Sequence, residues 1–358
     1  MICSLERFRI VAVVLFVRFL QSVNLHPDGP ACNHRCEIGL GGFGMRNSRE
    51  IVLSVVVGLF MAGTVALQAQ KPAWEPAPGL LTLELWPNGA PGNGNATAPE
   101  VDVTTAKDNL IAGRSLVRLG NVSKPTLTVY PAKGKNSGAA VVVFPGGGYN
   151  ILAIDLEGSE VCDWLTGVGV NCILVKYRVP NTGPYPKSPA ALQDAQRAMS
   201  MVRAHAAEWG IDPKRVGVLG FSAGAHLSAA ISTHYDQRLY PPVDAADQLS
   251  CRPDFAVIVY PGYLAIADKN MAPNADIQPT AQTPPSFIVQ AEDDPVHVEN
   301  ATVYFMQLKQ AGVDAELHIY SKGGHGYGLR RTELPVTTWP KSVEIWLRTI
   351  HILPPAAK

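Results

Sequence analysis

An α/β fold with a mostly parallel sheet of about eight strands flanked by helices is predicted by three observations. From about Leu80 onward, short apolar or β-branched runs alternate with longer helix-compatible stretches, the pattern of strands that cross over through helices. The later runs are rich in Val and Ile and almost uninterrupted, as strands covered on both faces must be. Finally, Gly220-Phe221-Ser222-Ala223-Gly224 lies between one such run and a helix-compatible stretch, where a strained strand-to-helix turn would lift a side chain clear of the sheet.

Taken in order, Leu81 to Trp86 and Thr126 to Tyr130 alternate with polar residues and are expected to form an antiparallel edge. The inner strands follow as Ala139 to Phe144, Asn171 to Tyr177, Arg215 to Leu219, Phe255 to Tyr260, Ser286 to Gln290 and Ala315 to Tyr320. Helices are expected over Glu157 to Leu165, Pro189 to Trp209, Ala223 to Thr233, Glu299 to Ala311 and Thr337 to Ile350. Ser188 should cap the helix that opens at Pro189, and Gly210 and Gly312 should stop theirs. Lys71 to Gly79 reads as a linker and Asn88 to Ala98 as a surface loop. The insertion from Gly262 to Pro285 is too short for a large lid. Neither a repeat nor a change of composition divides residues 80–350, which are expected to form one catalytic domain with a tail over 351–358.

The chain has 358 residues, 47% hydrophobic and 17% charged, enough to bury a substantial core. Its 30 basic and 30 acidic residues balance without long single-sign runs, which argues against a nucleic-acid footprint and for a small or neutral partner. Residues 1–70 read as a leader. Starting at Met45, a short basic head (Arg46, Arg49), an apolar run over Ile51 to Leu67 and a small-residue end at Ala69 have the layout of a secretory signal peptide, cleaved near Ala69 or Gln70. On that reading residues 1–44 are not native, the mature chain keeps no membrane span, and the protein is secreted or periplasmic. Cys32, His34 and Cys36 lack a second ligand pair and are read as coincidence, so no metal site is expected. Cys162, Cys172 and Cys251 remain after cleavage; they permit one disulfide and one free thiol, and spacing does not choose the pair.

A serine alcohol becomes a useful nucleophile only when a base takes its proton and a third group orients that base. Ser222 is the candidate nucleophile. After the strand ending at Gln290 comes Glu292-Asp293-Asp294, and after the last strand comes Gly323-Gly324-His325-Gly326, so acid and base follow in chain order at strand exits. His325 is the candidate base, because glycines on both sides free the loop and remove side chains that would block the imidazole. Asp294 is the candidate acid by counting from the strand exit; Asp293 is the alternative by counting back from Glu299-Asn300. Donors for a developing oxyanion are assigned to the amides of Gly147 and Gly148, in Pro145-Gly146-Gly147-Gly148-Tyr149, together with that of Ala223.

Together, AVVVFPGGGYN, DLEGSEVCDWL, VKYRVP, WGIDPKRVGVLGFSAGAHL, FIVQAEDDP and ELHIYSKGGHGYGLR resemble the bacterial α/β-hydrolase esterases grouped with feruloyl and acetylxylan esterases, some of which carry xylanase labels. The resemblance spans residues 80–350. It implies hydrolysis of short-acyl esters, such as acetyl or feruloyl groups on plant-polysaccharide fragments, without metal or organic cofactor. It carries two departures: Pro145 stands where lipase-type relatives have His, and the acid loop is one residue shorter than in many relatives. Tyr149, Glu157 and Tyr327 are candidate pocket residues. An amide hydrolase on the same fold, an exopeptidase or arylformamidase, is the alternative.

Overall fold

The computed structural model of the chain describes residues 73–92 and 98–355. The expectations for the leader, including the Met45 to Ala69 signal peptide and Cys32, His34 and Cys36, lie outside the described residues. Trp74, in the expected linker, packs against the core.

One sheet of eight strands organises the described residues. In chain order these are β1 (Leu81–Glu84), β2 (Thr126–Tyr130), β3 (Ala140–Phe144), β4 (Asn171–Lys176), β5 (Val216–Phe221), β6 (Ala256–Val259), β7 (Ser286–Ala291) and β8 (Ala315–Tyr320). Their spatial order is β1-β2-β4-β3-β5-β6-β7-β8. Only β2 runs against its neighbours, pairing antiparallel with β1 and with β4, so the expected antiparallel edge is present. Every other pairing is parallel.

The reason for the parallel centre is compositional. All five residues of β3, all six of β5 and all four of β6 are buried, and each fully buried Val, Leu, Ile or Phe contributes roughly 1.5–3 kcal/mol relative to an exposed one. Only helical cover on both faces removes that much apolar surface from water. The helices are α1 (Glu160–Gly167), α2 (Ala190–Ala204), α3 (Ala223–Thr233), α4 (Glu299–Gln310) and α5 (Trp339–Thr349). Trp164 of α1 meets Trp339 of α5 edge to face, ring centres 5.4 Å apart, and donates its indole N–H to Glu344.

The chain places β4 on one side of β3 and then crosses back to place β5 on the other. That reversal opens a crevice at the carboxyl ends of β3 and β5, where ligands bind in open α/β sheets. The loops that leave β3, β5, β7 and β8 carry Gly147, Ser222, Asp294 and His325 respectively.

Some local expectations are corrected. The first helix begins at Glu160, preceded by a wider turn over Asp155–Ser159 in which Glu157 is buried. Ser188 does not cap α2: its hydroxyl donates to Asn181 Oδ1 instead, satisfying the loop rather than the helix. The helix it precedes ends at Ala204, and turns carry the chain on to Gly210. Residues 101–120, unassigned from sequence, contain two short strands, Val101–Asp102 and Arg118–Gly120, which join Leu152–Ala153 in a small second sheet. The Gly262 to Pro285 insertion folds into a hairpin pairing Ala265–Ile266 with Ala272–Pro273. Cys162 and Cys172 form a disulfide linking α1 to β4, while Cys251 is free and buried.

Candidate active site

Ser222 follows β5 directly and is held at φ +52°, ψ −114°, a conformation that few non-glycine residues adopt. The strain persists because the turn has no room to relax. A Cβ on Gly220 would lie 2.0 Å from Gly224 O, and one on Gly224 would lie 2.0 Å from Phe144 O. Only bare backbone allows α3 to start so close to the end of β3.

The loops after β7 and β8 bring two further groups to this turn. His325 Nε2 lies 2.8 Å from Ser222 Oγ, although 103 positions separate them in the chain. On the other side of the ring, His325 Nδ1 lies 2.8 Å from Asp294 Oδ2. An ionised carboxylate only accepts, so Nδ1 carries the ring proton and the Nε2 lone pair faces the serine hydroxyl. Asp294 is buried and also accepts from Gln290 Nε2 at 3.0 Å and from the Val296 amide at 2.7 Å, which fixes its plane.

The sequence left Asp293 and Asp294 as alternatives; the geometry separates them. Asp293 does not bond the imidazole; its Oδ1 accepts from the amides of Gly323 and Gly324 at 2.9 and 2.8 Å. The Gly324 amide, with help from Gly323 and Lys322, holds its carboxyl below the usual carboxylate range. Asp293 thus braces the turn that delivers His325, a role that sequence counting did not suggest.

The glycine loop after β3 is set by its carbonyls. Gly146 O accepts from the Ala153 amide, and Gly147 O accepts from the amides of Asn150 and Ile151. In a trans peptide the N–H points opposite to the preceding C=O, so these bonds turn the Gly147 and Gly148 amides the other way. Gly147, at φ +132°, has no space for a side chain: its Cβ would fall 2.2 Å from Ile151 O. Among the described residues, the Gly147, Gly148 and Ala223 amides donate to no protein acceptor. Three backbone donors therefore remain unengaged around the serine turn, Ala223 opening the first turn of α3 where the helix dipole adds positive potential.

Comparison with known proteins places this architecture. Residues 141–278 match the family described as the alpha/beta hydrolase fold. A solved acetyl ester-xyloside bifunctional hydrolase from Caldicellulosiruptor lactoaceticus is 32% identical, with a TM-score of 0.59 over 76% of this chain and 97% of its own. The chain belongs to the α/β-hydrolase family. An acetylxylan esterase of Xylanibacter ruminicola is 34% identical over 206 residues, a match covering 54% of this chain and 42% of that protein, so the chain spans less than half of that relative's length. A carboxylesterase of Mycobacterium tuberculosis is 29% identical over 57% of this chain and 70% of its own.

Within this α/β-hydrolase the cleft beside Ser222 has a volume of about 410 Å³, within the usual range for small-molecule sites. Ser222, His325, Gly147 and Gly148 line its floor. Its outer wall comes from the segment before the first inner strand, through Asn109, Ile111, Leu116 and Arg118. Arg330 hangs this wall on the base loop: its guanidinium donates to the carbonyls of Arg114 and Ser115 at 3.0 and 2.9 Å and pairs with Glu160 at 2.7 Å.

The pocket assignments need correction. Tyr149 is buried, its hydroxyl 2.9 Å from His226 Nδ1 beneath α3, and it does not line the cleft. Tyr327 is buried against the Tyr260 ring, 4.5 Å between centres, and likewise does not line it. Glu157 borders the cleft, but only 4% of it is exposed and both carboxylate oxygens are engaged by protein: Oε2 accepts from the Gly146 amide at 2.7 Å and Oε1 from the Tyr260 hydroxyl at 2.8 Å. Burial pushes this carboxyl above the usual range, against the pull of those two donors. The aromatic residues failed as pocket candidates because proximity in sequence to the loops says nothing of which way a ring turns.

Among the described residues no group of three or more His, Cys, Asp or Glu could hold a metal ion, and no helix is long and apolar enough to cross a membrane.

Proposed function

We propose that this protein is a serine carboxylesterase that removes short acyl groups, acetyl foremost, from xylan fragments through an acyl-enzyme. The observation that carries the reading is the hydrogen-bonded line Asp294–His325–Ser222 opening on a cleft floored by free amides. As Ser222 Oγ attacks the acyl carbon, its proton passes to His325 Nε2 and the carbonyl electron pair moves to oxygen. The Gly147, Gly148 and Ala223 amides then donate to that oxyanion, and Asp294 stabilises the imidazolium. Collapse expels the alcohol oxygen, which takes the proton from Nε2. Water, deprotonated in turn by His325, attacks the acyl carbon, and the second collapse releases the carboxylic acid and restores the serine hydroxyl.

The acetyl preference draws on the relatives named for acetyl esters of xylan and xylosides. Among the described residues that line the cleft His325 carries the one aromatic ring, while the exposed Tyr263 stands beside the donor loop with its hydroxyl 3.5 Å from Gly148 O, so the preference rests on the relatives. The amide-hydrolase alternative finds no support in the relatives named above. For localisation, the reading is export, supported by the signal-peptide layout from Met45 to Ala69 and by the Cys162–Cys172 disulfide, which persists in oxidising compartments. A natively produced mature chain whose N-terminus precedes Met45 would refute Met45 as the start and cleavage near Ala69.

The test of the activity is turnover of p-nitrophenyl acetate, acetylated xylo-oligosaccharides and feruloyl esters by the wild type and Ser222→Ala. We expect acetyl release to be fastest and the variant to lose about 10⁴-fold or more in kcat. A variant with unaltered turnover would remove Ser222 from the mechanism, and faster release of feruloyl groups would overturn the acetyl preference.

A further inference from the structure

Glu157 lies between the two loops that the proposed chemistry needs to hold in register. Its Oε2 accepts from Gly146, the first glycine of the donor loop, and its Oε1 accepts from Tyr260, whose hydroxyl oxygen in turn accepts from the Gly328 amide on the loop that carries His325. The Tyr260 ring also packs edge-on to the His325 imidazole, 5.0 Å between centres. The fit around Gly146 is close: a Cβ there would lie 2.7 Å from Glu157 Oε2 and 2.9 Å from Ser222 Cβ. The donor loop is thus wedged between the nucleophile and this carboxylate.

We infer that Glu157 is a positioning residue whose carboxylate fastens the oxyanion-donor loop to the base loop, so that the donors and the imidazole keep a fixed relation while charge develops on the substrate. The inference rests on the esterase reading above and deepens it. Two observations separate this role from simple core filling. No lysine or arginine pairs with Glu157 among the described residues, and a buried carboxylate without a cation costs several kcal/mol. In addition, the two donors approach from different directions, and only a carboxylate presents acceptors to both. A glutamine has one carbonyl oxygen, and its NH₂ would face one of the two donors. The Gly146 amide is fixed by the backbone, whereas the Tyr260 hydroxyl rotates, so glutamine would keep the first link and loosen the second.

The experiment compares wild type, Glu157→Ala and Glu157→Gln on p-nitrophenyl acetate, together with their affinity for a short alkylboronic acid, which forms a tetrahedral anion on an activated serine. For Glu157→Ala we expect kcat to fall about 10- to 100-fold, somewhat less than deletion of an oxyanion donor, with KM within about threefold. Boronate affinity should fall by the same factor as kcat, because both report the aim of the donors. Glu157→Gln should stay within about tenfold of wild type on both measures.

A folded Glu157→Ala enzyme with kcat within about threefold of wild type, or with kcat lost while boronate affinity is kept, would overturn the inference. Should the alanine variant fail to fold, Tyr260→Phe beside Glu157→Gln decides the matter: Tyr260→Phe must lower kcat and boronate affinity in parallel by more than about threefold, and a decline in kcat alone, or no decline on either measure, overturns it. Failure of the wild type to bind the boronate, or to form a stoichiometric phosphonate adduct at Ser222, would instead sink the esterase reading.

Discussion

Replacing Asp294 by asparagine tests the division of labour between the two neighbouring acids. Asp294 Oδ2 takes bonds from His325 Nδ1 and Gln290 Nε2, while Oδ1 takes one from the Val296 amide. An asparagine must place its NH₂ at one of these positions. At Oδ1 it would face a fixed, buried backbone N–H, and such an unpaired donor costs about 1–3 kcal/mol. At Oδ2 it would face Gln290, whose unpartnered Oε1 can be brought round by an amide flip; the flip breaks the Gln290 Nε2 bond to His297 O, but that carbonyl still accepts from Asn300 Nδ2. The second arrangement is therefore favoured. It points a donor at His325 Nδ1, forces the proton to Nε2 and leaves Ser222 without a base.

A wrong tautomer in an otherwise intact triad lowers kcat by about 10³- to 10⁴-fold, or about 4–5.5 kcal/mol at 1.36 kcal/mol per decade. Asp293→Asn is the control: its carbonyl oxygen can still accept from both the Gly323 and Gly324 amides, so kcat should stay within about tenfold of wild type. The assay is p-nitrophenyl acetate turnover per active site, with sites counted by phosphonate labelling. If Asp293→Asn loses about 10³-fold while Asp294→Asn stays within tenfold, the assignment of the acid from geometry is wrong.

Two further outcomes are expected. Gly224→Ala would place a methyl group 2.0 Å from Phe144 O and 2.7 Å from Pro145 O, and overpacking of that kind costs about 3 kcal/mol or more, lowering the melting temperature by roughly 6–12 °C; an unchanged melting temperature would contradict the close approach of α3 and β3. His226 is fully buried, and that burial lowers its pKa from 6.5 to about 3. The unfolded chain therefore binds the extra proton first: the penalty is absent above pH 6.5, grows by about 1.4 kcal/mol per pH unit as pH falls below it, and stops growing near pH 3. His226→Gln should flatten the decline of melting temperature over that window, and a decline as steep as in the wild type would refute it.

The β3 to β7 strands were legible because buried parallel strands have a strong compositional mark, as in Ala140–Phe144 and Ser286–Ala291, whereas β8, expected to be covered on both faces, lies at the sheet edge and is only half-buried with Ile319 exposed. The Ser222 turn and the His325 loop were legible because their geometry demands small flanking residues at fixed places. The 101–120 segment left no such mark, since strands of two or three residues are too short to establish a period. Counting favoured Asp294 without excluding Asp293, because the two are consecutive on one strand exit and only the conformation of that loop decides which one meets the imidazole. The partner of Cys162 was hidden for a related reason: spacing does not reveal that the strand after α1 returns beneath it. Glu157 does border the cleft as expected, but its bonds to Gly146 and Tyr260 were not legible, because a glutamate beside a cleft looks the same in sequence whether its oxygens meet substrate or the protein behind it.

The outer wall of the cleft is built from chain that precedes all the reacting groups, and it is tied to the rest by the small sheet with Leu152–Ala153, by the Val117 amide on Asp155 and by the Arg330 guanidinium. One side of the cleft is thereby housed in a stretch of chain apart from the reacting groups, while Ile151, Ala153 and Leu156 line it from the stretch between the donor glycines and the nucleophile. Insertions or substitutions between positions 103 and 118 would reshape that side of the cleft while leaving the proton-transfer line untouched. Descendants of one ancestor could in this way acquire tastes for different esters without first losing the ability to cleave any.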